Sequence, residues 1–259
     1  MKIDRSKAEN VFREYVSGYN AQDDKVRLKI EHTFRVARLC EKIADSLGLE
    51  EEDRDLAWFA GLLHDVGRFE QLKNYGTFID SESIDHAMYG AQILFDEGRI
   101  RDYTQDACED ELLRTVVSVH SAYRIPEGLE ERTQRFCHIL RDADKIDILK
   151  VNVDFPPEEI YNVTTEELKS CTVSGAVMQA FFEEHAILRT LKQTAADHLA
   201  GHISLVYELV YPESLRIVME QRYLSKLMAF ESGNPVTREQ FGRMKEYMES
   251  YVKRMQAAE

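Results

Sequence analysis

Residues 56–68 read LAWFAGLLHDVGR, an almost wholly apolar helical turn sequence that runs straight into His64-Asp65 and then Val66-Gly67-Arg68. Within 51–65, Leu56, Phe59, Ala60, Leu62 and Leu63 recur at helical spacing, and Gly67 is the expected stop. The same period extends outward in both directions. Residues 27–47 place Ile30, Phe34, Ala37, Cys40, Ile43, Ala44 and Leu47 on one face, ending at Gly48. Residues 85–97 carry Ala87, Gly90, Ala91, Ile93 and Leu94, ending at Gly98. Residues 109–121 carry Leu112, Leu113, Val116, Val117 and Val119, and 129–150 carry Phe136, Ile139, Leu140, Ala143, Ile146 and Leu149. Residues 68–84 lack clean periodicity and read as a long, functional loop. Residues 152–165, with Pro156-Pro157, read as a second loop and a boundary, followed by helices near 174–191, 194–210, 213–230 and 236–257. The β-prone 171–177 (CTVSGAV) offers a small hairpin with 151–155. No repeat and no βαβ alternation is visible. The expectation is an all-α helical bundle: an N-terminal helix in 1–24, a helical core in 25–151 and a C-terminal helical extension in 152–259.

Composition narrows the function. Hydrophobic residues are 44% and charged residues 31% of 259, enough for a packed core. The net charge of −14 argues against non-specific nucleic-acid or anionic-lipid binding, both of which need a basic surface. It leaves room for a small phosphorylated substrate captured by local cations. No apolar run is long enough to span a bilayer, and the opening MKIDRSKAENVFREY has no apolar signal region. The four cysteines, Cys40, Cys108, Cys137 and Cys171, are scattered, as in a reduced, cytoplasmic chain.

Chemistry concentrates in a few polar side chains set among apolar helices. Asp144 lies beside Leu140, Ala143 and Ile146, where a carboxylate is costly unless paired or bound to metal. His64 and Asp65 are adjacent and so point about 100° apart on a helix; they meet at one ion only over the helix end. His32 stands near the start of its helix, and His86 and His120 begin or close theirs. Imidazole and carboxylate are metal-ligand types, and four His with two Asp from five helices suit an ion site in a bundle. For any one of these histidines taken alone, the plainer role is a hydrogen-bonded core residue.

The order His32, His64-Asp65, Asp144 resembles the HD-domain superfamily of metal-dependent phosphohydrolases. HDVGR at 64–68 is similar to its HD-x-G-K/R form, HTFRVARLCEKIA at 32–44 resembles its first helix, and RDADKIDIL at 141–149 its last ligand helix. The resemblance implies an all-α core over about 25–150 with a metal held by His32, His64, Asp65 and Asp144. Some branches add two histidines in between, and His86 and His120 fall in that interval. A dinuclear branch implies two ions bridged by Asp65. The chain lacks the GYP signature of cyclic-dinucleotide enzymes, and it has His120-Ser121 where many relatives have His-Asn.

The expected reaction is hydrolysis of a nucleotide or other small phosphate ester by metal-activated water, with Asp65 orienting the attack. The alternatives are a dinucleoside polyphosphate hydrolase or phosphodiesterase, or a non-catalytic nucleotide- or metal-binding regulatory module. The nitrogen-rich set suits Fe, Mn, Co, Ni or Zn, and Mg where waters complete the shell. Arg68 is the first candidate to hold a phosphate oxygen; Arg124 and Lys145 are weaker ones. Asp85 is either an outer-shell partner of His86 or an N-cap. The 75–78 stretch (YGTF) is a candidate to face a base. His198 and His202 have i,i+4 spacing without the acidic residue of the zinc-protease pattern, and read as structural, as do His138 and His185. A homo-oligomer built on the C-terminal helices is an open option.

Overall fold

The computed structural model describes residues 1–161 and 163–257, and among them there is no strand. Asn162, inside the expected 152–165 loop, and residues 258–259 lie outside the described residues. The chain divides into two compact units, Met1–Asp144 and Lys145–Glu259.

In the first unit the helices are α1 (Arg5–Ser17), α2 (Asp24–Ser46), α3 (Glu51–Leu63), α4 (Val66–Tyr75), α5 (His86–Ala91), α6 (Ile100–Tyr103), α7 (Asp110–Val119) and α8 (Glu131–Asp154), whose last residues enter the second unit. Asp4 and Asp23 cap α1 and α2 through their side chains, and α3 opens on Glu51, Glu52 and Asp53, which suit its positive end. Leu56 to Leu63 are all buried, so α3 is the central helix of this unit. Helix α2 lies against it so closely that a Cβ at Gly61 would come within 2.6 Å of Ala37 Cα. Phe12 of α1 closes one side, edge-on to Phe34 at 5.4 Å and Phe69 at 5.9 Å.

Gly67 does not end a helix. The break falls at Asp65, and the chain turns at once into α4, so ten residues of the expected 68–84 loop and its approach are helical. A Cβ at Gly67 would meet His86 O at 2.3 Å and Gly90 N at 2.6 Å; the glycine lets α4 and α5 touch backbone to backbone. Gly76, with φ 70°, is the true stop of α4. Gly48 and Gly98 do close their helices, at φ 66° and 76°. Before Gly98, α5 widens into a π-helical turn over Gln92–Asp96.

The second unit holds α9 (Pro157–Tyr161), α10 (Thr165–Ser170), α11 (Gly175–Phe181), α12 (Ala195–Ile203), α13 (Pro212–Gln221), α14 (Tyr223–Met228) and α15 (Pro235–Ala257). The expected hairpin is absent from the described residues. Residues 151–154 continue α8, and the backbone of Val173 is satisfied by the Gln240 amide (3.0 and 2.7 Å) rather than by a partner strand. The long helices expected at 174–191, 194–210 and 213–230 are each divided. Glu184 (φ 58°) follows α11, Arg222 (φ 60°) parts α13 from α14, and α12 tightens to a 3-10 turn at Ser204. There Ser204 Oγ donates to Gly201 O at 2.7 Å and accepts Ile187 N at 3.1 Å, drawing the backbone out of α-geometry. Phe181, Tyr207 and Tyr251 stack edge-on at 5.4 and 4.7 Å in this unit's core.

Candidate metal centre

Four imidazoles and two carboxylates meet at the end of α3. Asp65 sits at their middle, buried, on the two-residue break, His64-Asp65, between α3 and α4. Its two oxygens face different neighbours. Oδ2 lies 3.6 Å from His32 Nε2 and 3.5 Å from His64 Nε2. Oδ1 lies 3.5 Å from His86 Nε2 and 3.8 Å from His120 Nε2. Asp144 Oδ1, from α8, completes the first group at 3.1 Å from His32 Nε2 and 3.9 Å from His64 Nε2. His32, His64, His86 and His120 are all buried.

Hydrogen bonds behind three of the rings make Nδ1 the donor. His64 Nδ1 donates to Gly61 O at 2.7 Å and His120 Nδ1 to Val117 O at 2.7 Å; a carbonyl can only accept. His86 Nδ1 donates to Asp80 Oδ2 at 2.8 Å. Burial first, then the nearby imidazoles of His120 and His32, pushes His64 down to about 4, against the pull of Asp65 and Asp144. Burial and Arg68 push His86 down to about 3. Burial opposes ionisation of Asp65, but Lys29 and the rings around it hold it well below the usual carboxylate range. Burial likewise opposes ionisation of Asp144, but the His32 hydrogen bond together with the pull of the His32, His64 and His120 rings holds it below the usual carboxylate range.

His64 and His86, held neutral with Nδ1 as the donor, therefore turn bare Nε2 lone pairs inward. His86 Nε2 and His120 Nε2 stand 3.1 Å apart beside Asp65 Oδ1, and His64 Nε2 stands 3.3 Å from His32 Nε2 beside Asp65 Oδ2. Lone pairs and carboxylate oxygens packed this way repel one another unless a cation lies among them. The donor types suit divalent ions: His32, His64 and Asp144 lie close enough to share one ion, as do His64, Asp65 and His120, and His86 Nε2 borders the latter set at 3.1 Å from His120 Nε2. A third such group, Asp80, Asp85 and His86, is otherwise engaged. Asp85 is exposed and caps α5 through Ala87 N and Met88 N, while Asp80 holds Arg68, Gln71 and His86.

Asp85 is thus the N-cap, and the carboxylate behind His86 is Asp80, six residues upstream, which has no sequence signature. Lys29 was also not singled out by the sequence; one turn before His32, its Nζ lies 2.7 Å from Asp65 Oδ2. Arg141 draws α8 to the end of α7 by donating to Val119 O and His120 O, both at 3.1 Å, which fixes where His120 starts.

Arg68 borders the cluster, with Nε 3.7 Å from Asp65 Oδ1. Its Nη1 donates to Asp80 Oδ1 (2.8 Å), Phe78 O (2.7 Å) and Gln71 Oε1 (2.7 Å). Its Nε is buried and makes no hydrogen bond among the described residues. Two cations stand near the Phe78 ring, Lys29 Nζ at 5.6 Å and Arg68 Cζ at 5.7 Å. Arg124 is exposed, its guanidinium 4.8 Å over Tyr123, and Lys145 Nζ donates to Glu208 O at 3.4 Å. In the second unit His202 Nδ1 is bonded to Asn152 Oδ1 at 2.7 Å, and His185 is bonded to Glu183 and Ala186 O, both at 3.0 Å.

No curated protein and no solved structure matches the chain. Residues 30–149, which hold every residue of the cluster, match the family model of the HD domain. With the HD pair at the end of a buried helix and Asp144 facing it from α8, residues 30–149 form an HD domain, the domain of a superfamily of metal-dependent phosphohydrolases.

Proposed function

We propose that the chain hydrolyses the phosphate ester or anhydride of a nucleotide or similar small molecule in the cytoplasm, with two divalent ions bridged by Asp65. The observation that supports this most is the division of labour within one carboxylate: Oδ2 faces His32 and His64, Oδ1 faces His86 and His120. His32, His64, Asp65 and Asp144 would hold one ion, and Asp65, His86 and His120 the other. The ions would be Fe, Mn, Co, Ni or Zn, or Mg where waters complete the shell. Divalent ions here supply Lewis acidity, which activates water at neutral pH and offsets phosphate charge.

The side chains do the rest. Arg68 keeps Nη1 on Asp80 and offers its buried Nε edge to a phosphate oxygen beside Asp65. Lys29 offsets negative charge at Asp65 and, like Arg68, stands near the Phe78 ring, as a second cation for the substrate. Asp80 holds His86 in the tautomer that presents Nε2. The burial of the four rings keeps water from competing for their lone pairs.

Metal analysis joined to a phosphate-release panel tests this reading. The wild-type chain should carry two ions, and His86→Ala one. Asp65→Ala should abolish release from every nucleotide that the wild type cleaves, and His185→Ala should leave it intact. One ion per chain, unchanged in His86→Ala, would overturn the bridged pair. Full metal with no release across the panel would make the chain a binding module.

A further inference from the structure

The second unit carries a basic cluster that the HD centre does not use. Lys192 follows the 3-10 turn Arg189–Leu191 and leads into α12. Its end lies against the helix backbone: a Cβ at Gly201 would come within 2.4 Å of both Lys192 Cε and Nζ. His198 and His202, three residues before Gly201 and one after it, share that side of α12. The His202 ring is locked. Asn152 Nδ2 donates to Ile148 O at 2.8 Å, so its Oδ1 accepts from His202 Nδ1 at 2.7 Å, and the Tyr161 ring stacks on the imidazole at 5.5 Å.

Lys192 has no counter-ion. Among the described residues its Nζ makes no hydrogen bond or ion pair. The carboxylate that acts on it, Asp197, is already engaged: it accepts Ser174 N at 2.7 Å, Gln193 N at 2.8 Å and Thr194 N at 3.1 Å, which ties down the Lys192 segment. Burial first and then Arg189 push the ammonium down to about 8, and burial with Lys192 lowers His198 and His202. A half-buried ammonium without a partner is costly, and in a chain with 47 acidic residues a partner is easily placed. What Lys192 lacks among the described residues is one negative charge.

We propose that Lys192, seated against α12 beside His198, forms an anion site of its own that takes a small phosphate-class oxyanion. Gly201 is part of the site because only a residue without Cβ leaves the lysine its seat. Asp197 shapes it by holding the backbone from Gln193 to Thr194.

Calorimetric titration of the full chain with inorganic phosphate, with chloride as the control, tests the site. Wild type and Arg68→Ala should both bind phosphate at this site. Lys192→Met should weaken that binding at least about tenfold, the loss of one charge-assisted hydrogen bond. Gly201→Ala keeps the lysine but displaces its flexible end, and should weaken binding likewise in a chain that melts normally. Phosphohydrolase turnover should be unchanged in both. Phosphate affinity unaltered in Lys192→Met and Gly201→Ala would overturn the proposal. So would binding that disappears with Arg68→Ala alone, or no saturable phosphate binding in the wild type.

Discussion

Arg68 divides its guanidinium between structure and chemistry. Nη1 ties α4 to the 78–80 segment through Phe78 O and Asp80, and Asp80 in turn orients His86. Nε, buried and without a partner among the described residues, is directed past Asp65 Oδ1 at 3.7 Å. A lysine at this position can still meet Asp80 with one ammonium, but it has no second edge to offer a phosphate. Arg68→Lys should therefore keep both ions and a normal melting temperature while kcat/KM falls about 10- to 150-fold, the effect of losing a charge-assisted hydrogen bond of ~1.5–3 kcal/mol. Steady-state kinetics with metal analysis on the same preparation checks this; unaltered kcat/KM would leave Arg68 with its structural task alone. The ligand-type side chains and Arg68 were legible in the sequence because each interrupts an apolar helix or follows one directly. Asp80 was not, because it comes from a segment without periodicity and meets His86 only after the chain has turned.

Helix α4 shows why an element can be hidden from periodicity. Its buried face is Val66, Gly67, Phe69 and Gln71, so two of four inward positions carry no hydrophobic signal. Gln71 is tolerated there because its amide nitrogen donates to Asp80 Oδ1 (3.0 Å), Ser83 Oγ (2.8 Å) and Ile84 O (3.0 Å). Gly67 reads as a stop in sequence, but it serves as a contact. The helices around the cluster, α2, α3, α7 and α8, were legible because apolar residues recur at helical spacing along them. The breaks in the second unit were not, since Glu184 and Arg222 adopt positive φ without the glycine that usually marks it. Two glycine substitutions separate contact from cost. Gly67→Ala drives a Cβ into the His86 carbonyl at 2.3 Å, and should destabilise by ~1–3 kcal/mol and lose the ion at His86 first. Gly242→Ala, inside α15 with nothing within 4 Å of the new Cβ, should instead stabilise by ~0.5–1 kcal/mol. Urea titrations of the two variants decide: equal stabilities would mean that α4 and α5 can part freely.

At the scale of the whole chain, acidity is spread widely and basicity is local. A net charge of −14 disfavours approach of an anion from afar, so in the proposed readings capture would depend on near neighbours such as Lys29 and Arg68 in one unit and Lys192 in the other. No described helix is long and apolar enough to cross a membrane. The same chain keeps several histidines neutral inside it, and this links stability to pH. His202 is held well below its ordinary value, by burial first and by Lys192 next, with its Nδ1 proton committed to Asn152 Oδ1. The unfolded chain takes up a proton at this ring below about pH 6.5, and the folded chain refuses it. Stability from this ring is therefore complete above that pH and is lost as the solution becomes more acidic. His202→Gln removes the group that titrates in the unfolded state while leaving a polar side chain opposite Asn152. Its absolute stability will differ from the wild type, so the informative quantity is the slope. Between about pH 5 and 6.5 the unfolding free energy of the wild type should fall more steeply than that of His202→Gln, by up to one proton's worth, ~1.4 kcal/mol per pH unit. Parallel slopes in urea titrations across that window would show that the His202 ring accepts its second proton in place, with Tyr161 and Asn152 moving aside to admit the charge.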